Sequence, residues 1–441
     1  MEVGTGFSYQ FVHQSFSALG GLPLLQLMME QLGLRSRIDP YLPHSKIATK
    51  TSSFEKFMAL MLGFAAGCEC LDDMEPLRDE ALFSSLVKVN AANTYGEYLR
   101  SFDKVHIKEL SYRLIDLAHS IRTKTMGNCD LIIDLDSTDH LQYGQKKEGV
   151  AVNYKNIRGL DSLMAFDQFG FMYWMDVRPG ATYTANSSPE VISQIFARMP
   201  EGPHRKILRA DSGYCNIDVF NAAITAAADF VIAMKANMYE KLIPTIRNWR
   251  PCKNVDFYDG RECEIGETVY YPLRGRQTLR VVIIRALKEG CNQPLFAQER
   301  YEYRAWVTTI GAHEKKAEKI ILLYAKRGHA ENFIRELKYN FDLKHFPCQK
   351  LLANKAYGLI AAFAYNLMRL AAFISAGGKR VHFAKHTRLK MLFLPVQVAR
   401  TGRKVFIRIN RYLKKEMESW KQKIMQLGFG TVPIEKKRHA L

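Results

Sequence analysis

The sequence predicts an α/β protein, a mixed sheet covered by helices, with a helical segment before it and a basic segment after it. Three observations carry this expectation. Residues 1–125 place apolar side chains at helical spacing. From Cys129 the pattern changes to short β-branched runs alternating with helical stretches, the order of a sheet with helices packed on it. From Lys379 to the end, about 17 Lys/Arg stand against about 3 acids, so most of the net charge of +19 sits in one tail.

The helical segment contains LPLLQLMMEQLGL (22–34), SSFEKFMALMLGFAAG (52–67) and VHIKELSYRLIDLAHSI (105–121). Ser52 followed by Glu55 is a capping-box signal for the second of these. CDLIIDLDST (129–138) then reads as a strand ending in acids. DSLMAFDQFGFMYWMDVRPG (161–180) reads as a hairpin turning around Gln168–Gly170. A helix (188–199), a strand (206–211), a helix (217–228) and a strand (229–235) follow. Residues 236–305, rich in Arg and Tyr, read as an inserted β-rich subdomain with strands at ETVYYPL and QTLRVVIIRAL. YRAWVTTI (303–310) returns to an apolar strand. The chain is helical from Glu314 to about Gly377, and the tail offers a hairpin (394–409) and a basic amphipathic helix (411–427). The expected divisions are therefore 1–125, 126–235, 236–305, 306–378 and 379–441.

A pI near 9.5 points to a polyanionic partner, and its concentration in the tail favours nucleic acid over mere solubility. The eight Cys form no CxxC pair and no zinc-finger spacing, as expected of reduced thiols in a cytoplasmic protein. No basic–apolar–small leader pattern opens the chain. The long apolar stretch at 356–378 is interrupted by Asn366 and Arg369. It reads as a buried core helix, and no membrane partner is expected.

Acids stand at the strand ends. Asp134 and Asp136 alternate with Leu135 and so share one face of their strand. Asp211 ends the strand KILRAD before Ser212-Gly213, where it either caps the turn or faces a ligand. Farther on, in YAKRGHAENFIRELK (324–338), Tyr324, Arg327, Glu331 and Lys338 are spaced by three, four and seven. On one continuous helix this keeps the four side chains within roughly 60° of one another. Glu336 lies about 140° from Glu331 and is expected to face solvent or a neighbour. Ala330, Phe333, Ile334 and Leu337 fall on a flank that anchors the helix to the sheet. Carboxylates from separate elements can gather hard divalent cations, and two such ions stabilise an in-line phosphoryl displacement.

The spacing Y-x2-R-x3-E-x6-K resembles the helix signature of bacterial insertion-sequence transposases with a DDE triad. DLDST resembles the first-Asp strand of that family and RADSGYC its second-Asp strand end. The branch with a D-x-D-S-T first motif followed by Gly-Gln, here Gly144-Gln145, is the most similar, and NTYGEYLRSF (93–102) resembles it in altered form. The resemblance spans about residues 15–430. It implies a ribonuclease-H-like catalytic core, with 1–125 as the DNA-end-binding or dimerisation region and 236–305 as the β-rich insertion between the second Asp and the Glu. Carried over, Asp136, Asp211 and Glu331 match the triad that binds two Mg²⁺ ions, for which Mn²⁺ can substitute. Asp136 is chosen because it directly precedes Ser137-Thr138, and Asp134 becomes a supporting acid. Tyr324, Arg327 and Lys338 match residues that contact DNA phosphates near the scissile bond. Trp306 is either a base-stacking residue, as in some relatives, or a core aromatic.

The implied activity is cutting at the ends of an insertion sequence and joining the 3′-OH ends to target DNA. The partners would be double-stranded DNA, bearing terminal inverted repeats or the target site, and a second copy in a homodimer. The implied location is the bacterial cytoplasm, on the nucleoid when bound. Two other readings stay open: a metal-dependent nuclease without strand transfer, and a non-catalytic DNA-binding derivative of a transposase.

Overall fold

The computed structural model describes residues 9–44, 50–127, 129–143, 146–200, 202, 204–252, 260–288, 300–377, 381–402 and 404–428. Gly144 and Gln145 lie outside the described residues. The strands in chain order are β1 (Ser15–Ser17), β2 (Leu131–Leu141), β3 (Ala151–Val152), β4 (Arg158–Asp167), β5 (Met172–Pro179), β6 (Lys206–Ala210) and β7 (Asp229–Ala233). They continue with β8 (Arg250–Cys252), β9 (Cys263–Tyr270), β10 (Leu279–Leu287), β11 (Tyr301–Thr308), β12 (Val396–Thr401) and β13 (Lys404–Ile409).

The chain divides into two compact units, one of residues 1–110, 339–342 and 360–441, the other of 111–338 and 343–359. This corrects the expected divisions, because the N-terminal helices and the basic C-terminal region belong to one unit. In that unit β1 pairs β12 antiparallel and β12 pairs β13, so the two ends of the chain share a sheet. Such pairing is non-local and leaves no mark on either segment alone. The expected helices form at Leu22–Gln31 and Ser53–Ala66. The capping box closes as read: Ser52 N donates to Glu55 Oε2 at 2.6 Å and Glu55 N donates to Ser52 Oγ at 3.2 Å. At the other end Gly67, with φ of 105°, stops the helix, and buried Arg388 donates to the carbonyls of Phe64 and Ala65. The tail helix Lys414–Gln426 buries Trp420 and Ile424 and leaves most of its Lys exposed.

The other unit is built on a mixed sheet, ten-stranded among the described residues, in the order β3-β4-β2-β6-β7-β11-β10-β9-β8, with β5 also on β4. β2, β4 and β5 are successively antiparallel; β6 and β7 run parallel to β2 and to each other. The helices Ser188–Ala197 and Ile217–Thr225 occupy the connections on either side of β6, as parallel crossovers require. The hairpin β4–β5 turns at Gly170, whose φ of 85° suits a residue without Cβ. The β-rich segment is not a separate subdomain. β11 pairs β7, and β10 and β9 continue the same sheet. Four consecutive buried residues, Val281–Ile284, show β10 to be covered on both faces.

Helix Leu351–Ala376 is long and apolar enough to cross a membrane by length and composition, and 83% of its most apolar window is buried, as a core helix would be. His119 and His140 are also buried. His119 Nε2 donates to Ile195 O at 3.1 Å, and His140 Nδ1 donates to Leu343 O. Burial pushes His119 down to about 4 and His140 to about 3. Both therefore bind fewer protons folded than unfolded, so their stabilising effect is complete above about pH 6.5 and is lost as pH falls toward the folded values. Asp161, raised by burial to about 6, acts in the opposite sense between about pH 4 and 6. The expected result is therefore comparative. Going from pH 7 to 5, wild type should lose about 2 kcal/mol more stability than His140→Gln, read by urea unfolding at both pH values.

Candidate active site

The site begins with two parallel neighbours. β2 carries Asp134 and Asp136 on one face, and β6 carries Arg209, with Asp211 directly after its end. Register sets Asp134 against Arg209. Arg209 Nε donates to Asp134 Oδ1 at 2.7 Å, Nη2 donates to Oδ2 at 2.6 Å, and Nη1 reaches Leu323 O at 2.7 Å. Both side chains are almost wholly buried. Burial raises Asp134 above the usual carboxylate range, and Arg209 opposes it. Asp134 is thus committed to a forked ion pair that also ties down the end of helix Ala317–Ala325. Arg209 was missed from sequence; its signal was a lone Arg in an apolar strand two residues before Asp211.

Farther along the strands come the two remaining aspartates. Asp136 is buried; its Oδ1 accepts from Ser137 N at 2.9 Å and its Oδ2 from Arg327 Nη2 at 2.9 Å. Burial pushes Asp136 up to about 6; Arg327 opposes this, while Asp211 and Glu331 add to it. Asp211 takes the capping role that its sequence allowed and also stands near Arg327. Its Oδ1 accepts from Gly213 N at 2.9 Å, capping the turn Ser212–Tyr214, while its Oδ2 lies 3.9 Å from Arg327 Nη2. Glu331 Oε1 lies 3.7 Å from Arg327 Nη1 with its side chain 71% exposed. Three acids from three elements thus surround one guanidinium.

The segment 324–338 is not one helix. Helix Ala317–Ala325 ends and helix Gly328–Asn340 begins across Lys326 and Arg327. The junction is tightened by bonds from Arg327 N to Tyr324 O and from Ala330 N to Arg327 O, both 2.8 Å. Gly328, costly inside a helix, starts the second one instead. The common stripe reckoned on a continuous helix therefore does not exist as such. Arg327 reaches the acids from the junction, and Glu331 joins it one turn later.

The other predicted members are placed differently. Tyr324 packs its ring on Trp306 at 5.6 Å between centroids, and burial pushes its phenol up to about 12. Trp306 itself is 1% exposed, in a cluster with Val231, Val282, Ile284 and Ile320. Of its two readings the core aromatic is the one found; an indole so enclosed offers no face to a base. Lys338 Nζ donates to Asp139 O at 2.7 Å, and burial holds its ammonium below the usual lysine range. At seven residues past Glu331 it is about 10 Å farther along the helix and does not join the triad. Glu336 is 4% exposed, so it faces a neighbour and not solvent. It shares the buried flank with Ala330, Phe333, Ile334 and Leu337, which anchor the helix as expected. Two more polar residues, also missed from sequence, border the Asp211 turn. Tyr183 OH donates to Gly213 O at 3.2 Å, and Lys235 Nζ lies 3.5 Å from that hydroxyl.

These placements separate the two glutamates by experiment. With Glu331 as the metal-binding acid that the resemblance implies, Glu331→Gln should lower divalent-metal-dependent DNA cleavage about a hundredfold or more with an unchanged melting temperature. Glu336→Gln should retain cleavage and shift only the melting temperature. Loss of cleavage in both to the same degree would contradict the assignment.

Among the described residues no three of His, Cys, Asp and Glu stand close enough together to hold a metal ion. The Arg327 guanidinium is within ion-pair distance of all three acids. The donor set itself suits a hard divalent cation. It offers only carboxylate oxygens, and three acids against one arginine leave two negative charges in excess.

No curated protein matches the chain. Among solved structures it is similar to piggyBac transposase in a synaptic complex with hairpin DNA, at 11% identity, over 94% of this chain and 86% of that one, with a TM-score of 0.44. The family model for the transposase DDE domain, group 1, matches residues 7–428, nearly the whole chain, which therefore belongs to that family and is a DDE-type transposase.

Proposed function

We propose that this transposase cuts at the ends of an insertion sequence and joins the freed 3′-OH ends to target DNA, with Asp136, Asp211 and Glu331 as its metal-binding acids. The observation that carries this reading is the meeting of those three carboxylates, drawn from β2, the end of β6 and helix Gly328–Asn340, around Arg327. The strand order β5-β4-β2-β6-β7, three antiparallel then two parallel, supports a ribonuclease-H-like core. Its two aspartates come from parallel neighbours, Asp136 in the middle of β2 and Asp211 directly after the end of β6, so β2 runs on past the strand end that the sequence suggested for Asp136.

Two Mg²⁺ ions, or Mn²⁺ in their place, would be held by the three acids and would supply charge neutralisation and Lewis acidity at the scissile phosphate. The chain's own part is positioning. Asp136 is held by Ser137 N and Arg327, so its carboxylate is oriented before any ligand arrives. Asp211 is oriented by Gly213 N. Arg327 neutralises the acids in the free protein. Its planar fork suits a phosphate as well as a carboxylate, so DNA can take over the hydrogen bonds that Asp136 gives up. Tyr324 and Lys338 are proposed as flanking phosphate contacts. Base reading falls to other surfaces, for which the helical N-terminal region is proposed, because phosphate contacts alone carry no sequence information. Cutting two ends together calls for a homodimer acting on nucleoid DNA in the cytoplasm.

A strand-transfer assay tests the reading. Precut element ends, supercoiled target DNA and Mg²⁺ should give joined product. Cleavage of uncut ends without any joining would reduce the protein to a nuclease.

A further inference from the structure

We propose that the open face of the β1–β12–β13 sheet is a DNA-backbone grip, separate from the catalytic acids, that holds duplex DNA by its phosphates. The proposal rests on the transposase reading above and adds a surface that reading does not use. Register places Phe16, Gln397 and Arg408 in one row across the three strands, with Ala399 beside Phe406 and Thr401 beside Lys404 in the next two rows. Because side chains alternate along a strand, these residues share one face. The opposite face buries Val396 and Val398 against Leu82, with Ile409 packed alongside, so that side is covered over these residues, while Val405 and Ile407 farther along it stay 40% and 36% exposed. The open face leaves Phe16 61% and Phe406 50% exposed, and Lys404 and Arg408 exposed beside them.

No acid stands on this face. The polar partner Arg408 has there is the neutral Gln397, with Nη1 3.3 Å from Oε1. Among the described residues neither Lys404 nor Arg408 makes an ion pair. The face thus offers two uncompensated cations flanking an aromatic ring, in a tail that carries about 17 Lys/Arg against about 3 acids. Lys404 and Arg408 are four residues apart on one strand, about 13 Å. That is about the span of two successive phosphate intervals along one strand, so both can meet phosphates of one strand while Phe406 covers the sugars between them. A second copy of the chain fits worse, since it would bring the same two cations against themselves.

The test uses the full-length protein, a duplex of about 40 base pairs of arbitrary sequence, and binding measured from about 50 to 200 mM salt. The double variant Lys404→Gln/Arg408→Gln should keep its melting temperature, because both side chains are exposed. Its plot of log affinity against log salt should be shallower by about 2, with affinity at least several-fold weaker at the lower salt. Asp211→Asn should keep the wild-type slope while losing cleavage. If wild type binds and cuts DNA and the double variant retains both slope and affinity, the grip is refuted while the transposase reading stands. If the variant instead loses self-association in sedimentation with its salt slope unmoved, the face joins two copies and the proposal is likewise overturned. If wild type itself neither binds nor cuts DNA, both proposals fall.

Discussion

Asp136→Asn should lower Mg²⁺-dependent DNA cleavage by roughly three orders of magnitude, and in the absence of divalent ions should make the protein more stable, not less. The first effect follows from removing one member of a set of groups that act as a unit. The second follows from the site's electrostatics. Asp136 is buried beside Asp211 and Glu331, and its carboxyl is pushed up to about 6 even with Arg327 hydrogen-bonded to it. A carboxyl whose folded pKa exceeds its unfolded value stabilises the fold at low pH, and that contribution disappears as pH rises through 6. At pH 7 the ionised Asp136 therefore costs the fold about 3 kcal/mol, most of which the neutral amide avoids. Cleavage kinetics and metal-free thermal melts at pH 7 check both halves. A melting temperature several degrees below wild type would show that Asp136 holds the fold together and does not strain it. Reactive acids gathered at the expense of stability are a familiar feature of active sites.

Arg209→Ala should have the reverse character: a large loss of stability of about 3–5 kcal/mol from a residue assigned no contact with DNA. The substitution leaves Asp134 buried without its forked partner, and it frees Leu323 O at the end of the helix that leads to Arg327. An apolar replacement of both partners, Asp134→Leu with Arg209→Met, should recover most of the loss, because the pair's attraction is largely offset by the cost of burying its charges. Urea unfolding of the two single variants and the double variant measures the coupling directly. A loss below about 1 kcal/mol for Arg209→Ala would mean that water reaches Asp134 and that the pair is not the buried fork described above.

Much of this was legible in the sequence where the controlling forces are local. Alternation within CDLIIDLDST put Asp134 and Asp136 on one face, although β2 runs on to Leu141 instead of ending at these acids, Ser52 and Glu55 announced a helix start, and Gly170 marked a hairpin. The site's less legible parts depend on distant partners. Nothing between Leu131 and Leu141 tells which aspartate will find Arg209, because the answer lies in the register of β2 against β6. The break at Lys326–Arg327 interrupts a segment whose composition favours helix throughout, and Gly328 was its one local sign. β10 read correctly as a strand and β9 only in its second half, with ETVYYPL running past its end at Tyr270; strand pattern alone does not name a neighbour, and so their place in the main sheet was missed. The buried position of Trp306 likewise depends on distant partners, the neighbours β7 and β10 and the helix Ala317–Ala325 that packs over that face.

The central claim is that Asp136, Asp211 and Glu331 form one divalent-metal centre. Electron paramagnetic resonance of Mn²⁺ titrated into the DNA-bound full-length protein tests it most directly. Wild type should show protein-bound Mn²⁺, and Asp136→Asn, Asp211→Asn and Glu331→Gln should each weaken that signal while Glu336→Gln leaves it unchanged. Equal Mn²⁺ binding by wild type and all three variants would contradict the assignment.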